Sequence, residues 1–295
     1  MTGIATCSLP NGYGFHIWEI IQDSVTGSIN DVHSHGFRGQ KSDDKISQQS
    51  LSLDSEDLFY CIQRNSFFVC NEADQSIIEL DTTGNRTSYE LQVPDYLRLI
   101  YPNYGFEAMA YDSVQKTIYI TTENTLPADG NLSSLYNPSP SILHIQSYQG
   151  FTNNNILDFQ LSNQYLYSLD ATSVKKLGRQ HIHGVVAMTS LGNNKLIILE
   201  REAYVSHSFV GSWVLNKLYL VDTGVDNNIV LPKQLLAQWK THFDLFRQNW
   251  ANFEGMCLGR TLIDGRQTLL LVSDSQGGYG KGPLHLKDYI RVIVL

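Results

Sequence analysis

A repeat constrains this chain more than any other feature. Four times a short apolar strand ends in an acid and a second strand follows after a loop. Phe67-Phe68-Val69-Cys70-Asn71-Glu72 precedes 77–81, and Ile118-Tyr119-Ile120-Thr121-Thr122-Glu123 precedes 142–145. Leu196-Ile197-Ile198-Leu199-Glu200 precedes 218–222, and Leu270-Leu271-Val272-Ser273-Asp274 precedes 289–294. A matching apolar strand stands upstream of each acid, at 51–53, 106–110, 184–188 and 253–258. Helical periodicity is nearly absent. The exception is 232–250, where Leu235, Leu236, Trp239, Phe243 and Phe246 recur at three and four residues and predict one short helical insertion.

The four acids stand 51, 77 and 74 residues apart. A four-stranded blade takes roughly 40–50 residues, so the first interval is one blade, and each longer one holds either a degenerate blade or an insertion. The expectation is an all-β protein, a β-propeller of six blades, forming one domain over residues 1–295. Continuous apolar runs suit its inner strands, which neighbours cover on both faces. A β-sandwich is the competing fold, but it does not place an acid at each matching strand end.

Composition then narrows the partners. Charged residues make up only 17% of the chain, against 32 aromatic rings, so it buries enough apolar surface to offset ordering entropy. Acids outnumber Lys and Arg by 29 to 21, which disfavours a nucleic-acid or anionic-membrane partner. No apolar run reaches the ~18–20 residues of a membrane span, and residues 1–10 show no secretory signal. Cys7, Cys61, Cys70 and Cys257 lack zinc-site spacing. Cys61 and Cys70 either bridge a hairpin or act as small buried hydrophobes. The sequons at Asn85 and Asn131 leave the compartment open.

Three passages carry a resemblance. Asn103-Tyr104-Gly105-Phe106-Glu107-Ala108-Met109-Ala110-Tyr111, running on to Glu123-Asn124-Thr125-Leu126, resembles the "N-x-GFEGLA…xEtPL" signature of the phytase-like propeller family, labelled for esterase-like activity of phytase. Leu199-Glu200-Arg201 is similar to its "LLvLER" segment, and Asn252-Phe253-Glu254-Gly255-Met256 through Ser273-Asp274 to its closing "N-x-EGialG…LlLvSD" stretch. The resemblance covers about 13–295. The family's opening "GGLSGL" repeat has no counterpart, so the first blade is expected to be incomplete at the N-terminus. Gln49-Ser50 stands where a further ring acid belongs. The resemblance implies a secreted or periplasmic protein.

Propeller strands converge on a channel, so the repeat acids are candidates for its mouth. Clustered carboxylates raise one another's pKa unless a cation sits between them, and oxygen-only ligands suit Ca²⁺. Glu72, Glu107, Glu123, Glu254 and Asp274 are the candidate metal ligands, set against a structural role as acceptors of backbone N–H groups. Glu107, Glu254, Glu200, Arg201 and His183 are the candidate catalytic residues, with Arg201 either an anion fork or an ion-pair partner of Glu200 or Glu202. His33-Ser34-His35 and His181-Ile182-His183 each place two imidazoles on one strand face, a spacing able to chelate zinc. His35-Gly36-Phe37-Arg38 matches part of a histidine acid phosphatase motif by coincidence. No serine elbow or phosphate-binding glycine loop is present, and 277–280 reads as a flexible loop.

Three functions follow. One is a hydrolase of phosphate or carboxylic esters using a metal-assisted water. Another is a non-catalytic propeller that binds a ligand or protein on the face carrying loops 124–141, 201–216 and 275–288. The third is a lactonase-like propeller. The expected partner is a small anionic or ester substrate, and the expected state is a monomer.

Overall fold

The computed structural model describes residues 2–6, 13–40, 54–225, 229–243, 249–275, 280–281 and 284–295. Among them no α-helix occurs, and one 3₁₀ turn spans Asp95–Arg98. The N-terminal sheet comprises β1 (Thr2–Thr6), β2 (Tyr13–Gln22) and β3 (Ile29–Gln40). Blade 1 follows as β4 (Ser55–Cys61), β5 (Ser66–Asn71), β6 (Ile77–Asp81) and β7 (Arg86–Glu90). Blade 2 is β8 (Phe106–Asp112), β9 (Thr117–Thr122), β10 (Ile142–Asn153) and β11 (Ile156–Ser168). Blade 3 is β12 (Gln180–Gly192), β13 (Lys195–Val205), β14 (Ser212–Asp222) and β15 (Lys233–Phe243). Blade 4 pairs β16 (Phe253–Thr261) with β17 (Gln267–Ser273) and, past a small hairpin of β18 (Gly280–Lys281) and β19 (Leu284–His285), with β20 (Ile290–Val294).

Every pairing in the named sheets is antiparallel, and each blade runs outward from its first strand. The first strands β4, β8, β12 and β16 meet in succession, which is the propeller arrangement. Apolar faces of neighbouring blades make the cores. Phe68, Ile77, Phe106 and Ile118 fill the junction of blades 1 and 2. Ala108, Tyr119, Val185 and Ile198 fill the next, and Leu199, Leu218, Phe253 and Leu271 the last. The N-terminal sheet stands between blades 4 and 1. Its Phe15 packs on Phe67 with ring centroids 4.4 Å apart, while Gln22 Oε1 accepts from the Arg260 amide at 2.9 Å.

Among the described residues the blades therefore number four, not six. The 77- and 74-residue intervals hold long strands rather than hidden blades. Residues 156–168 are one strand, β11, pairing with the 12-residue β10. Residues 201–205 and 212–216, expected as loop, extend β13 and β14.

The helical insertion near 232–250 is likewise overturned, because 233–243 is the outer strand β15. Leu235 pairs with Tyr219 and Ala237 with Leu218, so Leu236 is the extra residue of a bulge. That one residue changes the parity of the strand, and apolar residues three and four apart come to mimic a helix. Past the bulge the alternation is plain, with Thr241 and Phe243 buried and Gln238 and Lys240 exposed. Phe246 lies outside the described residues.

Cys61 and Cys70 are buried free thiols. Cys61 opposes Ser66 and Cys70 opposes Ile77, so the hairpin does not bring them together. Residues 49–53, Cys7 and the 277–279 part of the glycine stretch also fall outside the described residues.

Candidate functional site

The inner strand of every blade carries a bulge. In β8, Phe106 opposes Thr122 and Ala108 opposes Thr121, which leaves Glu107 as the extra residue. In β16, Phe253 opposes Ser273 and Gly255 opposes Val272, leaving Glu254. The β4 bulge lies between Ser55 and Leu58 and holds Glu56 and Asp57. The β12 bulge holds Val186. An extra residue re-aims its side chain out of the ladder, and three of the four blades spend that device on a carboxylate. Glu56 thus supplies the acid that Gln49-Ser50 appeared to lack.

A second set of side chains comes from the residue after the next strand. The amides of Glu72, Glu123 and Asp274 donate to the carbonyls of Asp54, Gly105 and Asn252, each at 2.8 Å. Glu72 and Glu123 each lean over the inner strand of the next blade. Glu72 Oε1 accepts from the Gly105 amide at 2.8 Å. A Cβ on Gly105 would stand 2.7 Å from Glu72 Cγ, and one on Gly184 would stand 2.3 Å from Glu123 Cγ, so both positions need glycine for the acids to pass.

Blade 3 breaks this pattern. Gly184 opposes Arg201, and Val185 opposes Glu200 before the bulge, so the counterpart of Glu123 is Arg201 and not Glu200. The position held by Gly105 and Gly184 is occupied by Asn252 in blade 4. Arg201 Nη2 donates to Glu123 Oε1 at 2.6 Å and Nη1 to Asn252 Oδ1 at 2.9 Å; Nη1 also pairs with Glu254. Arg201 is 4% exposed, and its neighbouring carboxylates raise its pKa against the pull of burial. It pairs with neither Glu200 nor Glu202, and both of its Nη groups are occupied, so the guanidinium is an internal counter-ion rather than an open anion fork.

The acids around it are crowded. Burial, followed by Glu123, Glu56 and Glu254, drives the Glu107 carboxyl well above the usual range, although Arg201 opposes the shift. Among the described residues nothing donates a hydrogen bond to that carboxylate, and Glu107 is 7% exposed. Burial and the charges of Asp54 and Glu72 push Glu56 up to about 8. Burial takes Glu123 up to about 7 against Arg201, and raises Glu72 and Glu254 as well. Asp57 is carried up to about 8 by burial even though its oxygens accept the Leu58 and Met109 amides. Carboxylate oxygens of Asp54, Glu56 and Glu72 lie within 4.8 Å of one another, the one group among the described residues able to hold a metal ion.

Of the sequence candidates, Glu72, Glu107, Glu123, Arg201 and Glu254 are coupled in this cluster, and Asp274 acts on Glu254. Glu200 and His183 are not brought to it. Alternation along β13 turns Glu200 to the opposite face, where Tyr167 Oη donates to it at 2.6 Å and Lys233 Nζ at 2.5 Å. His183 opposes Glu202 on that same face, and burial lowers its pKa to about 4. His181 Nε2 meets Glu202 Oε1 at 3.0 Å. At the other His-x-His pair, exposed His35 meets Glu19 and His33 meets Asp31, each at 3.3 Å.

Asp54, Glu56 and Asp57 were missed from the sequence. Aligning Ser55-Glu56-Asp57-Leu58 with Phe106-Glu107-Ala108-Met109 and Phe253-Glu254-Gly255-Met256 exposes the shared strand opening.

Comparison with known proteins bears on the fold and the family. A search of curated proteins finds no match. Among solved structures, one described as a streptogramin B lyase aligns over 100% of this chain and 98% of its own, at 11% identity and a TM-score of 0.29. The family model described as "Phytase-like: Esterase-like activity of phytase" matches residues 15–276. With an acid-opened propeller blade repeated along that span and most of its length matched, the chain belongs to the phytase-like family.

Proposed function

We propose that the channel mouth hydrolyses phosphate or carboxylic esters, with Glu107 as the general acid. The observation that carries this is the state of Glu107. It is a nearly buried carboxyl among like charges that receives no hydrogen bond from the described residues, and burial with those charges makes it hold its proton well above the usual carboxylate range. In the proposed reaction the oxygen of water bonds to the phosphorus or carbonyl carbon. The ester bond to the leaving oxygen breaks, that oxygen takes the Glu107 proton, and the proton lost by water restores Glu107 through solvent. Arg201 keeps Glu123 and Glu254 in place and limits the negative charge that an anionic ester meets.

Asp54, Glu56 and Glu72 would hold Ca²⁺. Their donor set is all oxygen, and the mutual repulsion that raises Glu56 is what a cation would relieve. When bound, the ion would neutralise the carboxylates and polarise the ester oxygen.

The test is turnover of p-nitrophenyl esters, phytate and a sugar lactone, with calcium added or chelated. Glu107→Gln is expected to lower kcat by at least about 100-fold with little change in thermal stability. Glu56→Gln is expected to reduce the stabilisation that calcium gives. Turnover of the lactone alone would move the reading to a lactonase. Absence of turnover on every substrate, with no calcium effect on Tm, would leave a non-catalytic binding propeller.

A further inference from the structure

One row of side chains between blades 3 and 4 has too few partners. Arg201 on β13 opposes Asn216 on β14, which opposes Trp239 on β15, so the three share one sheet face. That face looks toward blade 4, where the Trp239 ring meets Phe253 edge-on at 5.9 Å and Arg201 reaches Asn252. The neighbouring row of Leu199, Leu218 and Ala237 is apolar and joins the core with Leu269 and Leu271. The polar row is different. Asn216 is 0% exposed, yet its Oδ1 and Nδ2, Arg201 Nε and Trp239 Nε1 are all sealed from solvent without a hydrogen-bond partner among the described residues.

Each such orphan costs about 1–3 kcal/mol if nothing answers it. The groups on offer are three donors and one acceptor, arranged along adjacent strands. A second anion is a poor answer, because Arg201 already faces the two carboxylates of Glu123 and Glu254. Water fits: it accepts two hydrogen bonds, donates two, and needs only two to four polar partners in a buried site. We propose that Asn216 is a positioning residue for Arg201, acting through water held between blades 3 and 4. The Nη groups are fixed by Glu123, Asn252 and Glu254, and the bridge to Nε fixes the remaining edge of the guanidinium plane. Both carboxylates are then met at once.

The catalytic consequence rests on the hydrolytic reading of the channel mouth, but the test needs no turnover and so stands or falls separately. Protein labelled with ¹⁵N-arginine is examined by NMR as wild type, Asn216→Leu and Asn216→Ser. The expected wild-type spectrum shows an Arg201 Nε–H signal with a cross-peak to bound water and slow rotation of the guanidinium. Asn216→Leu is expected to lose the cross-peak and speed that rotation, while Asn216→Ser, small and polar, keeps both features. A wild-type signal without the water cross-peak overturns the proposal, as does an unchanged signal in Asn216→Leu. If the leucine variant does not fold, loss of the cross-peak in Asn216→Ser overturns it.

Discussion

The two faces of β13 both meet buried acids and treat them oppositely. On the blade 2 side, Glu202 accepts from the Ser173 amide at 2.9 Å, the Val174 amide at 3.1 Å and Ser173 Oγ at 2.5 Å, with His181 beside it. Those partners outweigh burial and hold its carboxyl down at about 2. Asp170 is held low in the same way by Lys217, Lys233 and Tyr219. On the other side, Glu107, Glu123 and Glu254 share one arginine and are all raised. A buried acid that is fully answered serves the scaffold, whereas one left short of partners keeps a proton available for chemistry. Glu200 is the mixed case. Burial pushes it up, but Tyr167 and Lys233 already occupy it.

The contrast can be broken most forcefully at Arg201. Arg201→Met leaves Glu123 and Glu254 buried without their counter-ion and is expected to cost about 3–5 kcal/mol in urea unfolding at pH 7. The loss should shrink as pH falls, because burial raises both carboxyls and protonation removes the unpaired charges. Glu202→Gln comes next, at about 2 kcal/mol, because it removes a charged acceptor from several donors. Its pH signature follows from the sign of the shift. The folded pKa lies below the ordinary value of 4.5, so wild-type stability from this group is present above 4.5 and lost as pH falls toward 2, and the variant should lack that slope.

The channel side should show the reverse slope. Glu56 has a folded pKa of about 8 against 4.5, so its contribution is present below 4.5 and lost as pH rises through about 8. With calcium chelated, Tm should fall by a few degrees between pH 5 and 8.5, and Glu56→Gln should flatten the curve in scanning calorimetry. The smallest effect is reserved for Glu200→Gln, which should leave turnover per folded molecule within about twofold of wild type. A loss as large as that expected for Glu107→Gln would return Glu200 to the site and erase the distinction between the two faces.

Much of this was readable in advance. Apolar runs too short for helices fix strands, and acids at like places in those runs mark Glu107 and Glu254 as equivalents. What was not readable depended on single-residue offsets. The repeat places Glu200 beside Glu72 and Glu123, yet the register sets Glu200 opposite Val185 as Thr122 stands opposite Phe106, so the equivalent of Glu123 falls one residue later, on Arg201. The bulge at Leu236 disguises a strand as a helix, and the segment at 51–53 drew attention from Glu56. A period-2 element turns every side chain over for each residue of slip, so an error that is negligible for the fold becomes decisive for the site.

The sequence by itself determined strand content, antiparallel blades built outward from an apolar inner strand, and a surplus of acids positioned at strand openings and ends. Only the tertiary structure decided that there are four blades, that an arginine interrupts the ring of acids, and which carboxylates remain short of partners. Those outcomes depend on ladder register and on contacts between blades distant in sequence, as when Arg201 meets Glu123 and Glu254 from two other blades. Local pattern specifies which residues can be buried; only the packed ring settles what each buried charge finds opposite it.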